Sequence, residues 1–445
     1  MNLLFFVIIL VAFVFAAWRQ IFTGPFETGF LPMQVLSRAM VDSAANAVTL
    51  SIGLTGIMAL FLGLMKVAEA GGLLKMISRL IRPLMIRLFP DVPPEHPAMG
   101  AMILNISANA LGLGNAATPF GIRAMQELDT LNRQKGTASN AMALFLTINT
   151  AGVTLLPTNV IALRAASGSN DPAGILATTL FASLAATLVA IAAAKILQRF
   201  SPSGPLSHLS ESSIYLASDS KAIQQGEARE ISSLEEGLLI EAAKNYPLWI
   251  TVLALILLGG LIPLMVFYGE SISPWVMPVT ILGFLSFGLI RRVRIYESFV
   301  EGAADGFQVA VKIIPFLVAI LVAVGMFQAS GAMDILVSIL GPWSSRIGLP
   351  AEALPMALMR PLSGSGSYGV LASILKNPAI GSDSYTGYLV STLMGSSETT
   401  FYVMAVYFGA VQIRRTRHTL AAALIADIAS LFFSIIACVY FIALP

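Results

Sequence analysis

Two charged residues lie in stretches that are otherwise apolar enough for a lipid bilayer. Glu398 stands in GSSETT, within a hydrophobic segment of about 25 residues, and Arg360 opens RPLSGSGSYG. An ionisable side chain at membrane depth is costly unless it is paired or hydrated, which makes both residues functional candidates. Glu398 would hold a cation, a proton or an amine, and Arg360 an anionic group; alternatively the two pair as a gate or as a structural ion bridge. Asp427, in the last apolar segment, is a weaker candidate, either as a proton relay or as a buried structural acid.

The positions of Gly, Ser, Asn and Pro predict two re-entrant helical hairpins, at 97–130 and 353–377, and two broken helices. Irregular backbone at membrane depth is tolerated where it is buried in protein or lines a watery cavity. Helix N-termini at such places bind small polar or anionic ligands, although Ser and Thr there also hold helices together. The predicted substrate-binding residues are Asn105, Ser107, Asn109, Asn115, Asn149, Thr154, Arg360, Ser363, Ser365, Ser367, Ser396, Ser397, Glu398 and Thr399.

Motifs for enzymatic chemistry are missing from the sequence. SGSGS has neither the Gly-x-Ser-x-Gly spacing of a nucleophile elbow nor a histidine partner, and no Walker A lysine motif occurs. The three histidines are far apart, the single cysteine stands in an apolar run, and the net charge is only +2. We therefore expect no enzyme, no cofactor, no metal site and no nucleic-acid partner.

The composition predicts an all-α polytopic membrane protein. Hydrophobic residues make up 56% of the chain and charged residues 11%, against roughly 25% charged in soluble domains. With both hairpins entering and leaving on one side, nine helices cross, the first of them an uncleaved N-terminal helix. The basic clusters Arg79–Arg87, Arg291–Arg294 and Arg414–Arg417 then all lie in the cytoplasm. This topology places the N-terminus inside and the C-terminus outside.

The chain also repeats itself. VDSAAN (Val41–Asn46) corresponds to VEGAAD (Val300–Asp305), and AEAGG (Ala68–Gly72) to FQASG (Phe327–Gly331), each 259 positions later. Because five predicted crossings separate equivalent points, the second half enters the bilayer from the opposite face, as in the inverted repeats of secondary transporters. The predicted units are an N-terminal helix and outer loop at 1–40, a first repeat at 41–199, a polar cytoplasmic linker at 200–245, two connecting helices at 246–296 and a second repeat at 297–445.

The repeats carry the motifs of a known family. NISANALGLGNAATPFGIRAMQELDTLN (Asn105–Asn132) resembles spore maturation protein A, whereas RPLSGSGSYGVL (Arg360–Leu371) and GSSETTFYVMAVYFGAVQIRRTRH (Gly395–His418) resemble spore maturation protein B. Both belong to the nucleoside-recognition, or Gate, group, which is similar to parts of concentrative nucleoside transporters and of the ferrous-iron transporter B membrane domain. The resemblance implies a fusion of two Gate-like halves in the inner membrane.

These observations together predict a secondary transporter of a small polar metabolite: a nucleoside, an amino acid or a small organic acid. Two hairpin tips and two broken helices would form one site at the bilayer midplane. Transport would be coupled to H⁺ or Na⁺, or not coupled at all. The alternative is a membrane scaffold or sensor that transports nothing. Lipid is an expected partner in either case, and the sequence is compatible with a homo-oligomer.

Overall fold

The computed structural model describes residues 2–22, 24, 30–112, 114–201 and 246–442. The predicted linker at 200–245 lies outside the described residues except at its first two positions. Throughout the described part the chain is helical, and its β-structure there is one isolated bridge between Thr137 and Arg415. The predicted all-α class is therefore confirmed.

Equivalent helices follow one another in the same order in both halves. After α1 (Asn2–Phe22), the first half contains α2 (Pro32–Ala70), α3 (Leu73–Leu88), α4 (Pro97–Ala110), α5 (Gly114–Thr130), α6 (Asn140–Thr150), α7 (Thr158–Ala166) and α8 (Leu176–Leu197). A connecting segment, α9 (Leu248–Ile290), leads to α10 (Ile295–Ala329), α11 (Ala332–Ser344), α12 (Leu354–Met359), α13 (Gly364–Lys376), α14 (Tyr385–Ser396), α15 (Thr400–Ala410) and α16 (Thr419–Ile442).

Local chemistry starts and stops these helices at matching places. Gly72 and Gly331, which are 259 positions apart, both precede a helix with left-handed backbone, at φ of 86° and 81°. Ser139 and Ser384 cap α6 and α14, since each hydroxyl accepts a hydrogen bond from a backbone N–H in the first turn. The repeated sequence thus produces repeated structure.

Helices α2 and α10 pack along each other in opposite directions. Gly325, near the end of α10, contacts Ser43 near the start of α2, whereas Gly302, near the start of α10, contacts Lys66 near the end of α2. Positions 43 and 302 are equivalent under the 259-residue offset, and so are positions 66 and 325. The contact between 43 and 325 is therefore the repeat equivalent of the contact between 302 and 66. The helices therefore form a pseudo-symmetric pair, in which small residues allow close approach of the backbones.

The connecting segment α9 folds back on itself. Its backbone leaves helical geometry at Tyr268, where φ is −120° and ψ is 16°. The hydroxyl of Thr251 donates to the Leu80 carbonyl of α3, and Arg291 contacts Met76 one turn away on the same helix. A straight helix would separate positions 251 and 291 by about 60 Å, so these contacts require two limbs joined near Tyr268. Two connecting helices were the expectation for 246–296.

Three helices of the described part are long and apolar enough to cross a membrane: Phe5–Phe22, Leu176–Phe200 and Thr419–Phe441. Shorter apolar stretches lie at Trp249–Leu264, Trp275–Ile290 and Leu317–Ala329. Length and composition therefore identify a membrane protein.

Candidate functional site

Both predicted hairpins and both predicted helix breaks are present. Helices α4 and α5 form the first hairpin, and α12 and α13 the second. The first broken helix is interrupted between Thr150 and Thr158, and the second between Ser396 and Thr400.

Each hairpin turn contacts the helix break of its own half. In the first half the Leu155 N–H donates to the Ala110 carbonyl at 2.9 Å, and Gly112 meets the Leu156 carbonyl. Gly112 has a φ of +78°, and no Cβ would fit against that carbonyl, so the contact requires glycine. In the second half the Phe401 N–H donates to the Pro361 carbonyl at 3.1 Å.

The two breaks also contact each other. The Glu398 N–H donates to the Thr150 carbonyl at 2.8 Å, which joins the middle of the second broken helix to the end of α6. The four interrupted elements therefore meet in one region, and two groups of polar side chains lie there.

The first group, the amide cluster, consists of Asn105, Asn109, Asn149 and Tyr407. Asn109 Nδ2 donates to Asn149 Oδ1 at 2.9 Å, and Asn105 Nδ2 donates to the Tyr407 hydroxyl at 3.0 Å. Asn105 and Asn149 are almost completely buried, and Asn105 Oδ1 has no hydrogen-bond partner among the described residues. The cluster thus offers an unmet acceptor to a ligand that would enter between the halves.

The second group, the ion cluster, consists of Arg360, Glu398, Thr399, Thr400 and Asp427. Arg360 Nη1 donates to Thr399 Oγ1 at 3.2 Å, and its Nη2 lies 3.9 Å from Glu398 Oε2. The Arg360 side chain is 7% exposed, whereas the Glu398 side chain is 50% exposed. Because the Glu398 carboxylate is half exposed while the Arg360 guanidinium is buried, a charged ligand can contact the carboxylate without complete desolvation of the pair.

Some predicted site residues have structural partners instead. The Ser107 hydroxyl donates to the Ile103 carbonyl of its own helix and lies 3.2 Å from Ser78 of α3. Ser396 faces Ser430 and Ser434 of α16, at 3.0 and 3.1 Å. These hydroxyls hold helices together, which is the other role that Ser and Thr have in membranes.

The remaining predicted residues stay close to the turns and breaks. Ser363 caps α13 by accepting from the Gly366 N–H, and its hydroxyl lies 3.4 Å from that of Ser365. Ser367 and Ser397 donate to carbonyls of the preceding helical turn, and the Thr154 N–H donates to Ser183 of α8. The side chain of Asn115 lies outside the described residues.

Sequence reasoning missed two polar residues that join the halves. Tyr407 follows Thr400 by seven positions, two helical turns, so this spacing could have placed both on one face. Arg164 is completely buried at the end of α7: it donates to the Ser382 carbonyl at 2.7 Å, pairs with Asp383 at 3.1 Å and lies 4.2 Å from the centre of the Tyr388 ring. An arginine in an apolar helix was its only signal.

Two open cavities lie elsewhere. One, of about 540 Å³, is bordered by 166–168 and 375–384 beside the buried Arg164; the other, of about 510 Å³, is bordered by 338–352 and Tyr385. Neither is lined by a residue of the amide cluster or the ion cluster. These two cavities therefore lie apart from the region where the turns and the breaks meet.

The fold and this region define a helical membrane protein with two hairpins and two broken helices. The family model described as Gate, nucleoside recognition, matches residues 51–202 and 310–414, more than half of the chain. The protein belongs to this Gate family.

Two curated relatives agree with the resemblance seen in the motifs. Spore maturation protein A of Bacillus subtilis (strain 168) is 46% identical over 159 residues, 36% of this chain and 81% of the relative. Spore maturation protein B of the same organism is 44% identical over 160 residues, 36% of this chain and 89% of the relative. The predicted similarity to both is confirmed.

One solved structure, that of CNTnw in an inward-facing substrate-bound state, has a related shape. The similarity covers 98% of this chain and 90% of that chain, with a TM-score of 0.44 and 14% sequence identity. A likeness at this level is too weak to transfer a site or a substrate.

Proposed function

We propose that the protein is a secondary transporter of a small polar metabolite in the inner membrane, with its binding site between the hairpin turns and the helix breaks. The observation that carries the proposal is the amide cluster: α4, α6 and α15 bring Asn105, Asn149 and Tyr407 together from both halves. Broken helices at a repeat interface are where secondary transporters bind substrate. The proposal contains no catalytic step.

The substrate class is a nucleoside, an amino acid or a small organic acid. Amide groups and a phenol hydroxyl can both donate and accept, which suits a base edge or sugar hydroxyls. The description of the matched family, nucleoside recognition, makes nucleosides the first class to test. Arg360 and Glu398 would instead favour a ligand with charged ends, as in an amino acid. H⁺ or Na⁺ would drive the cycle.

An inverted repeat with nine crossings is part of the proposal. Its support is the antiparallel, pseudo-symmetric packing of α2 and α10, because helices so related point in opposite directions through a bilayer. Charge adds further support: α3 carries Lys75, Arg79, Arg82 and Arg87, whereas the equivalent helix α11 contains no Lys or Arg. Under the positive-inside rule α3 lies at the cytoplasmic surface and α11 at the outer surface.

The loops at the two ends of the broken helices also differ in charge, and the difference supports the same orientation in the membrane as the comparison of α3 with α11. At one end the Arg415 carbonyl accepts from the Ala138 N–H, and Arg414 and Arg417 bond to the same loop. At the other end Asp383 pairs with Arg164. The basic end would be cytoplasmic and the end where the charges are paired external, which leaves the N-terminus inside and the C-terminus outside.

A membrane scaffold or sensor is the second candidate, and one observation favours it. Several polar groups of the region already have protein partners, and neither cavity described above opens onto the amide cluster. Dry, internally bonded polar groups are what a protein without a ligand needs.

The test is transport by the purified full-length protein. Thermal stability would first be screened against nucleosides, amino acids and dicarboxylates, because a ligand that binds the native state raises stability. Uptake of each stabilising compound would then be measured in proteoliposomes under an imposed H⁺ or Na⁺ gradient. Uptake above that of protein-free vesicles supports a transporter; stabilisation without uptake supports a sensor; neither response supports a scaffold.

A further inference from the structure

Asp427 is a carboxyl group that the amide cluster does not use. It stands eight residues into α16, about 12 Å from the start of that helix. The helix is one of those long and apolar enough to span a membrane, so Asp427 lies well inside the predicted span. A carboxyl at that depth needs partners or a proton.

The hydrogen bonding of Asp427 is incomplete for a charged group. Its Oδ2 lies 2.8 Å from Thr400 Oγ1, and its Oδ1 is buried with no partner among the described residues. An ionised carboxylate offers about four lone-pair sites, and leaving them unmet in an apolar interior is far more costly than leaving a neutral oxygen unmet. With a proton on Oδ2 the same contact becomes a hydrogen bond from Asp427 to Thr400, and Oδ1 becomes a neutral carbonyl oxygen.

The surrounding charges favour the same state. Arg360 acts electrostatically on both Glu398 and Asp427, so one guanidinium serves two carboxyl groups. The N-terminus of α15 adds only about half a positive charge. Since the Glu398 side chain is half exposed, it can be hydrated, whereas Asp427 is partly buried and its Oδ1 atom is inaccessible. The acid that gives up its charge is therefore Asp427.

Other titratable groups near α16 leave this balance unchanged. Helices α6, α8, α14 and α15 pack against α16. Arg360 is the charged group that acts on Asp427. The remaining titratable residues on these helices and on or beside α16, within the described part, are Lys195, Tyr385, Tyr388, Tyr402, Tyr407, Arg417, His418, Cys438 and Tyr440.

We infer that Asp427 is a proton-binding site, neutral at rest, and that movement of Arg360 from Glu398 toward Asp427 releases the proton to water at Glu398. The O–H bond of Asp427 breaks, the carboxylate pairs with the guanidinium, and a water molecule accepts the proton. A sodium ion would need several oxygen ligands, whereas the one hydrogen-bond partner described for the Asp427 carboxyl group is the Thr400 hydroxyl. Coupling of this proton to a substrate rests on the proposed function, but the resting proton does not.

Infrared spectroscopy of the full-length protein in lipid tests the inference. A protonated carboxyl shows a separate C=O band that shifts in D₂O. We expect this band at neutral pH in the wild type, its loss in Asp427→Asn, and its retention in Asp427→Glu and in the control Glu398→Gln. Arg360→Gln should keep the band to higher pH than the wild type. Each variant is first checked for a monodisperse elution profile.

Several results would overturn the inference: no band in the wild type, a band unchanged in Asp427→Asn, or loss of the band when NaCl replaces choline chloride, which would indicate a sodium site. Absence of the band from the wild-type spectra counts against the inference even where a variant fails to fold, and either Asp427 variant that folds assigns the band. Proteoliposome uptake separates the two proposals. The expected band without uptake of any metabolite would support the proton site at Asp427 and contradict the transport function. Uptake without the band would support the transport function and contradict the proton site.

Discussion

The Asn105 side chain on the first hairpin donates a 3.0 Å hydrogen bond to the hydroxyl of Tyr407, 302 residues later in the chain. Tyr407 Oη also lies 3.5 Å from Asn149 Oδ1, and its ring stacks on Phe145 with centroids 6.1 Å apart. One phenol thus connects the first hairpin and the first broken helix to the second broken helix. A ligand that separates the halves has to break these contacts.

Tyr407→Phe removes only the hydroxyl oxygen, and with it the contacts to Asn105 and Asn149, while the ring that stacks on Phe145 remains. Asn105 keeps its 2.8 Å bond to the Ala117 carbonyl, so stability should fall by only about 1 kcal/mol. The apparent affinity for the ligand found in the thermal screen, measured from its stabilising effect, should fall at least tenfold. Tyr440→Phe, on the exposed part of α16, is the matched control and should behave as wild type. Unchanged ligand affinity in Tyr407→Phe would remove the amide cluster from the site.

Gly121→Ala tests the packing of the first hairpin. An added Cβ would overlap the Tyr407 phenol, so we expect a loss of about 1–3 kcal/mol in thermal or denaturant stability. Gly283→Ala, where a Cβ meets nothing within 4 Å, is the control and should be neutral or slightly stabilising. Tyr407→Leu in the same chain should restore part of the loss. Equal stability of the two alanine variants would contradict this contact.

Arg164→Ala should be the most damaging of these changes. The side chain is completely buried, and its removal takes away the donor to the Ser382 carbonyl and the cation that pairs with Asp383. We expect a loss of about 3–5 kcal/mol, measured as thermal stability in detergent. Asp383→Asn keeps the size and should cost less, about 1–3 kcal/mol. Arg87→Ala, at an exposed position of α3, is the control; a similar loss there would mean that burial does not explain the effect.

Glu398→Gln should separate function from stability. The acid is half exposed and 3.9 Å from Arg360, so its charge should contribute about 0–1 kcal/mol to folding. Ligand response should nevertheless be lost, and Arg360→Lys should be impaired because a lysine cannot reproduce the guanidinium geometry. Glu352→Gln, beside the second hairpin, is the control. Unfolding of Glu398→Gln with normal ligand binding in the surviving fraction would identify a structural ion bridge instead.

Topology can be tested with the single cysteine replaced, as Cys438→Ser. In that background Asn170→Cys should react with a membrane-impermeant maleimide in intact cells, whereas Arg133→Cys should react only after permeabilisation. Both positions are exposed, and they stand at opposite ends of the broken helices. The reverse labelling pattern, or labelling of both from outside, would refute the nine-crossing arrangement.

Much of the fold could be predicted from the sequence because it repeats local signals. Gly72 and Gly331 each provide left-handed backbone before a helix, and Ser139 and Ser384 each provide a helix cap. Gly112 marks a turn that only glycine fits. Such signals depend on neighbouring residues, so they can be recognised before any tertiary contact is known.

Apart from the approach of Arg360 to Glu398, which was one of the expected alternatives, the pairing between side chains could not be predicted in this way. Ser396 and Glu398 share one polar motif, yet the first faces Ser430 and Ser434 whereas the second approaches Arg360. Nothing in the motif distinguishes a hydroxyl that joins helices from one that meets a ligand. Tyr407 was missed because its hydrogen-bond partners come from the other half of the chain, and Arg164 because its ion-pair partner, Asp383, does.

The antiparallel pairing of α2 with α10 has a consequence for assembly. Helix α2 lies before position 202 and α10 after position 245, on one continuous chain. Their encounter is therefore unimolecular, and its yield does not depend on how much protein a cell makes or how far it is diluted in the bilayer. Every molecule also contains the two halves in a fixed one-to-one ratio. Dilution into excess lipid should accordingly leave the region between the halves intact.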